Sequence, residues 1–340
     1  MSKPIIISDP YPRTLKIIFS KEKIKLIKQQ FQLISAPLKN KKLFYEKNIS
    51  KATFILGQPF LPRKLLEKAK NLKAIFNVES NFMNNMDYEY CFKNGIYVLS
   101  TSPVFAQPVA ELALGLTLSL ARDIHNAHSD FIKGKEKYGG ESSKNNFLLK
   151  NKIFGMIGFG DLAKSLLPLI RPFSENIYAY DPWVPDQQMK NNNVKPCDLN
   201  KLLKKCDVIY ILASITSKNE GFINKSKLDM LKKNSCFILM SRAAIINFSD
   251  FYKKLKTSEI YAAIDVFPME PVKKNDPIRK LSNVIFSAHR AGALNVVFKE
   301  MGNIVYEDIL LIQKNLPPRL CKRAEKETVG YLRSKPVDHN

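Results

Sequence analysis

The 340-residue chain carries only four histidines, and His289 stands where chemistry can be done. It follows the apolar run Val284-Ile-Phe-Ser287 and Ala288. An imidazole gives and takes a proton near neutral pH. Arg242 follows a second apolar run, Ser235-Cys-Phe-Ile-Leu-Met240, and Ser241, with Ala243, Ala244, Ile245 and Ile246 after it. A guanidinium among such neighbours is costly unless paired, and its forked face suits a carboxylate. Glu270 lies in Asp265-Val-Phe-Pro-Met-Glu-Pro271, a proline-rich turn after the run Ile260-Tyr-Ala-Ala-Ile264. A carboxylate beside an imidazole favours the protonated ring and fixes its tautomer. Taken alone, each has an ordinary structural alternative: a satisfied core histidine, a surface arginine, a loop acid. His125 and His128 have a metal-like i, i+3 spacing. With no cysteine or third histidine nearby, a solvated or capping role is favoured and no metal site is expected. His339 lies in the tail.

The elements that must position these groups are organised around Gly155-Met-Ile-Gly-Phe-Gly-Asp-Leu-Ala163. An apolar run enters it and a helical run, Leu162 to Ile170, leaves it. Strand, glycine turn and helix is the context that a dinucleotide fingerprint requires. Gly158 permits the tight turn. Gly160, followed by Asp161 and Leu162 in the first helical turn, lets a pyrophosphate approach the helix N-terminus. Ala163 fills the third, small position. The next apolar run, Asn176 to Tyr180, ends in Asp181, about 20 residues on, where an acid accepts hydrogen bonds from an adenosine ribose. That acid favours NAD over NADP, whose 2′-phosphate would face its charge.

The chain is 45% apolar and 10% aromatic, with 54 basic and 31 acidic residues and a net charge of +23. Its length predicts two domains. No block of five or six like charges occurs, so a basic but solvated surface is expected rather than a nucleic-acid partner. Five cysteines, an odd number without a CxxC pair, point to a reducing compartment. The first residues are too short an apolar run for a signal peptide. The longest apolar run, Leu112 to Ala121, is about half a membrane span. A cytoplasmic protein without a membrane partner is expected.

Short apolar runs alternate with helical ones over residues 1–102: strands at 4–8, 52–56, 72–78 and 96–99, and helices at 21–32, 62–69 and 88–93. This pattern predicts a parallel sheet covered on both faces. A proline-rich linker, 102–108, leads into one long helix, 109–130, expected at a domain or subunit boundary. Residues 134–146 read as a loop. Further strands are expected at 208–212, 235–240, 260–264 and 284–287, each with a polar cluster just after its carboxyl end, the ligand-binding edge of open α/β sheets. A last helix, 296–314, carries an apolar face and leads into a basic tail from Leu316.

Arg242, Glu270 and His289, in this order after a GxGxxA turn, resemble the D-isomer-specific 2-hydroxyacid dehydrogenases. Val109-Ala-Glu111, Tyr180-Asp-Pro182, Cys206-Asp-Val208 and Asn283-Val284 through Ala288-His-Arg-Ala-Gly292 extend the likeness over residues 72–295. The resemblance implies an α/β fold with a Rossmann NAD-binding domain (103–295) inserted into a flavodoxin-like, doubly wound substrate domain (1–102 and 296–340). It implies hydride transfer between NAD(H) and a 2-hydroxy or 2-oxo acid in a cleft that closes, and a homodimer. His289 would be the acid/base, Glu270 its partner and Arg242 the carboxylate clamp. Gly158, Gly160, Asp161, Leu162, Asp181, Thr216, Ser241 and Asp265 would line the cofactor, Asp265 at its nicotinamide end. Backbone N–H groups around Glu79, Ser80 and Asn81 would meet the substrate carboxylate.

Some positions depart from the family pattern. Glu79 stands in a loop of usually small residues, so its side chain is expected to point away or meet a lysine. Asp161 replaces a frequent arginine, Ala243 a glycine, and Leu212-Ala-Ser-Ile-Thr216 lacks the usual histidine and proline. These changes leave the identity of the acid open, with Phe82, Phe105, Tyr138 or a partner subunit's residues as candidates for shaping its pocket. The alternative is an NAD-sensing, corepressor-like binding protein without turnover, to which the +23 charge would be suited. The three filled catalytic positions favour the enzyme.

Overall fold

The computed structural model describes residues 3–79, 81–142 and 146–333. They divide into two compact units, residues 1–105 with 293–340 and residues 106–292. Ser80 and His339 lie outside the described residues.

The first unit is built on five parallel strands: β1 Ile5–Asp9, β2 Gln32–Ser35, β3 Phe54–Gly57, β4 Ala74–Asn77 and β5 Tyr97–Ser100. Their order, β5-β4-β3-β1-β2, is that of flavodoxin-like sheets. Ile6 of β1 faces Leu33 of β2 and Phe54 of β3. β3 and β4 are wholly buried, as expected of strands covered by helices on both faces. One face packs Ile6, Phe54, Phe76 and Leu99 against Met301, Val305 and Ile309 of the helix Asn295–Gln313. Gly302 makes that approach possible: a Cβ there would sit 2.4 Å from the Ile18 carbonyl oxygen. The other face packs Ile7, Ile55, Ile75 and Val98 against Tyr45, Leu66 and Phe82.

The second unit holds seven parallel strands: β6 Phe154–Ile157, β7 Ile177–Tyr180, β8 Lys195–Pro196, β9 Val208–Ile211, β10 Cys236–Leu239, β11 Tyr261–Ile264 and β12 Val284–Phe286. Their order is β12-β11-β10-β9-β6-β7-β8. The chain reverses direction across the sheet between β6 and β9, as in Rossmann folds. Ile157 of β6 lies level with Tyr180 of β7 and Ile211 of β9, so three strand ends align at one edge. The helix Asp161–Ile170 buries Ala163, Leu166, Leu167 and Ile170. Its principal helical neighbour is Ala106–Ala121.

Several elements differ from the sequence reading. The expected helix over 21–32 ends at Gln30, and Gln32–Ser35 pairs with β1 instead. The helix Lys41–Asn48 carries too weak an apolar period to read. The single helix over 109–130 is two, Ala106–Ala121 and Ile124–Ile132, broken where Asp123 takes the left-handed conformation (φ +51°). The basic tail is not a free tail: Lys322–Arg323 forms β13, antiparallel to β5. The stretch Ser102–Ala121 is also long and apolar enough to cross a bilayer, beyond the half-span read from Leu112–Ala121. Within its own unit, the 106–121 part buries Val109, Ala113, Leu116 and Leu120, which accounts for that apolarity.

Candidate active site

Each strand end at the carboxyl edge of the second sheet, β8 excepted, carries one of the expected residues. After β6, Gly158 has φ +97°, and a Cβ there would lie 2.5 Å from the Ala213 backbone nitrogen beyond β9. Only glycine fits this turn. Gly160 caps the helix Asp161–Ile170, and a Cβ there would meet nothing within 4 Å. Asp161 opens the first helical turn, where a negative charge suits the helix dipole. Asp161 and Leu162 are both half-buried.

After β7, Asp181 does more than stand at the strand tip. Its Oδ2 accepts the Phe159 N–H at 2.8 Å and its Oδ1 accepts the Trp183 N–H at 2.9 Å. One acid therefore ties the glycine turn to the next strand end. Beyond β9, Thr216 is buried in a small loop, its N–H donating to Asn219 Oδ1 at 2.7 Å and its hydroxyl accepting the Lys218 N–H at 3.3 Å. After β10, the Ser241 hydroxyl is buried and meets no hydrogen-bond partner among the described residues. An orphaned buried hydroxyl is uncommon. Together with the open space over Gly160 at the start of the helix, it fits a dinucleotide along this edge.

The three chemistry-bearing side chains converge within this unit. His289 Nδ1 lies 2.7 Å from Glu270 Oε2. Glu270 Oε1 accepts the Phe267 N–H at 2.9 Å, so the carboxylate is held from both sides. Burial pushes the Glu270 carboxyl up. The hydrogen bonds from His289 and Phe267 and the charges of His289 and Arg242 outweigh it and hold the group below the usual carboxylate range. Arg242 Nη1 donates to the carbonyl of Ser241 at 2.7 Å, which bends the guanidinium back along its own chain.

The loop carrying His289 is set by Asp265. Asp265 is 1% exposed; its carbonyl accepts the His289 N–H at 2.7 Å, and its carboxylate accepts the N–H groups of Arg290 (3.1 Å) and Ala291 (3.4 Å). His289 itself adopts φ +48°. A left-handed histidine is a strained choice, and Asp265 supplies the bonds that hold it. Asp265, expected at the nicotinamide end, engages the backbone of the loop that carries His289.

In the first unit, Asn81 is half-buried and its carbonyl accepts Asn77 Nδ2 at 2.6 Å. Ser80, the other expected substrate contact, lies outside the described residues. Glu79 meets an arginine rather than a lysine: Arg13 bonds its carboxylate. Nothing in the local sequence marks Arg13; only the need of a buried acid for a cation could have pointed to it. Phe82 belongs to the core beside Leu66 and Ile75, so an apolar ring expected to shape a pocket is used for packing. Tyr138 is 78% exposed. Among the described residues no cluster of three or more metal-type ligands occurs. His125 Nδ1 lies 3.8 Å from Asp123 Oδ1.

Comparison with known proteins follows the same geometry. The profile of the D-isomer specific 2-hydroxyacid dehydrogenase NAD binding domain matches residues 114–291. A D-3-phosphoglycerate dehydrogenase of Methanocaldococcus jannaschii is 31% identical over 252 residues, 73% of this chain and 47% of its own. A glyoxylate reductase of Thermococcus litoralis is 29% identical over 268 residues, 77% of this chain and 80% of its own. The chain thus spans about half the length of the curated phosphoglycerate dehydrogenases it matches. The crystal structure of a phosphoglycerate oxidoreductase from Rhizobium etli superposes with a TM-score of 0.86 at 40% identity, covering 96% of this chain and 100% of that one.

Proposed function

The chain belongs to the D-isomer specific 2-hydroxyacid dehydrogenases, a family of NAD-dependent oxidoreductases, and from this we propose that it reduces a small 2-oxo acid to the 2-hydroxy acid. The pairing of His289 with Glu270 beside Arg242, at the edge where Gly158 and Asp181 would hold NAD, is the observation that carries this reading. NADH, held by the turn at Gly158–Gly160 and by Asp181, would supply the hydride. His289 gives a proton from Nε2 to the carbonyl oxygen, because Nδ1 is taken up by Glu270. Glu270 stays anionic at neutral pH and holds the ring by its Nδ1. Arg242 binds the substrate carboxylate through its fork and draws electron density from the adjoining carbonyl. Asp181 would accept from the ribose hydroxyls of the cofactor.

Relatives named for glyoxylate and for phosphoglycerate make two- and three-carbon 2-oxo acids the first candidates. All five cysteines are free thiols, which supports a reducing, cytoplasmic setting. We further assign the working form as a homodimer. Support comes from the row of exposed apolar side chains on and after the helix Ile124–Ile132, with Ile124, Phe131 and Ile132 more than half exposed; such patches mark association surfaces.

The test is NADH oxidation with glyoxylate, hydroxypyruvate, pyruvate, 2-oxoglutarate and a bulky aromatic 2-oxo acid. Turnover with one or more is expected. H289A is expected to lower kcat by about 10²- to 10⁴-fold while NADH still quenches Trp183, the single tryptophan. NADH binding without turnover of any panel member would favour a sensor over a reductase.

A further inference from the structure

The helix Asp161–Ile170 starts at the glycine turn, and its far end forms one wall of a cleft of about 500 Å³ within the second unit. Ten residues, at a rise of 1.5 Å each, put that end roughly 15 Å from the turn. Lys164, Leu167 and Pro168 line the cleft from the helix, and Arg171, Pro172 and Glu175 from the segment that follows. Arg171 keeps helical backbone angles (φ −54°, ψ −38°). Lys164, two turns earlier, therefore lies on the same face, with Leu167 and Pro168 between the two cations. The guanidinium is held in place: Nη2 donates to the Asn192 carbonyl at 2.6 Å, and Nε is enclosed. Asn192 ends the helix Asp186–Asn191, and a helix end leaves such carbonyls in need of donors, so one side of this arginine has a structural use. The other side does not. No hydrogen bond among the described residues takes up Nη1, which is not enclosed. Nor does Arg171 or Lys164 form an ion pair among the described residues, although Glu175 lines the same cleft.

We propose that this cleft is a second binding site, apart from the catalytic one, for a small monocarboxylate with an apolar tail. Arg171 Nη1 and Lys164 take the carboxylate, and Leu167, Pro168 and Pro172 take the tail. Charge sets the class: two cations against Glu175 leave one positive charge in excess, which a monoanion balances and a dianion does not. The apolar wall narrows it further, because a bare inorganic anion would leave that wall in water. A guanidinium already held by Asn192 has little freedom left to lose on binding, which favours affinity. The site does not depend on the reaction proposed above.

Butyrate titrated into the full chain tests this, by calorimetry and by the Arg171 Nε–H resonance in a nitrogen NMR spectrum. The resonance absent from R171K identifies it. Butyrate is expected to shift that resonance. R171K, which keeps the charge and loses the planar fork, is expected to weaken butyrate by about tenfold, and K164M by about threefold. E175Q, which removes the opposing charge, is expected to tighten it by about threefold. R242Q is expected to bind butyrate as wild type does, because Arg242 belongs to the catalytic site. Acetate, which lacks the tail, and succinate and inorganic phosphate, which carry excess charge, are each expected to bind at least about threefold more weakly than butyrate. An unmoved Arg171 resonance, phosphate bound as tightly as butyrate, or butyrate binding lost in R242Q and kept in R171K would overturn the proposal. Should R171K not fold, K164M and E175Q decide: unchanged butyrate affinity in both would overturn it equally. No arm of the test requires turnover, so failure of the proposed reaction and failure of this site are read separately.

Discussion

At the scale of single residues, the division of work between Glu270 and His289 can be measured. Glu270 is held below the ordinary carboxylate range, so folding favours its ionised form. Its contribution to stability is complete above the unfolded carboxylate value of about 4.3 and is lost as pH falls through the lower folded value. Chemical denaturation from pH 6 downward is expected to give a steeper acid loss for wild type than for E270Q. Equal slopes would mean that the pair carries no linkage. The same substitution is expected to lower kcat by about 10- to 100-fold, because an imidazole without its carboxylate loses both orientation and charge support. Asp181 offers a second measurement. Its two oxygens staple the glycine turn to the strand tip, so D181A is expected to weaken NADH binding by about tenfold, a loss of roughly 1.4 kcal/mol, and to narrow the preference over NADPH. Titration of Trp183 fluorescence with both cofactors would settle it; unaltered affinities for both would remove Asp181 from the cofactor site.

At the scale of elements, the helix Asn295–Gln313 is fixed by one buried acid that sequence reading passed over. Asp308 is fully buried. Its carboxylate accepts N–H bonds from Arg319 at 2.8 Å, Leu320 at 3.1 Å and Cys321 at 2.7 Å. These bonds turn the chain out of the helix toward β13, which closes the first sheet beside β5. D308A would take the acceptor from three backbone N–H groups, of which that of Cys321 is buried, and is expected to cost about 2 kcal/mol of stability, the loss for a buried donor being of order 1–3 kcal/mol. A denaturant midpoint indistinguishable from wild type would show that water replaces the carboxylate without cost. An aspartate in the middle of an apolar helical face reads as an irregularity. Its meaning depends on amides that follow by more than ten residues.

For the whole molecule, the net charge of +23 and the apolar arm after Ala121 bear on association. A Phe131→Glu, Ile132→Glu double variant is expected to shift the mass by light scattering from dimer to monomer, because it sets charges in an apolar patch. A monomeric wild type would remove the dimer. The lysines are dispersed: several lie over tyrosine and tryptophan rings, as Lys23 over Tyr306 and Lys218 over Trp183 do. That distribution fits a solvated basic surface better than a groove for a polyanion.

The sequence by itself determined the parts whose physics is local. The glycine turn at Gly158–Gly160, the acid at Asp181, the buried strands and the residues at their carboxyl ends were legible because a strand, a tight turn and a helix start each impose a residue type within a few positions. Arg242, Glu270 and His289 stood out as candidates through their joint order after the glycine turn, since each alone has an ordinary structural use. The short strand Gln32–Ser35 was not legible, because a four-residue run is decided by the neighbour it pairs with. Nor was the break at Asp123, because a left-handed residue inside a helical pattern leaves no period of its own. The tertiary structure alone decided which partner each buried charge would find. Arg13 meets Glu79 across 66 residues, Asp265 anchors the backbone of Arg290 across 25, and Asp308 caps a turn beginning 11 residues later. The physical reason is common to all three: a buried charge constrains the fold to supply a counter-charge or donors, and chain topology decides where they come from.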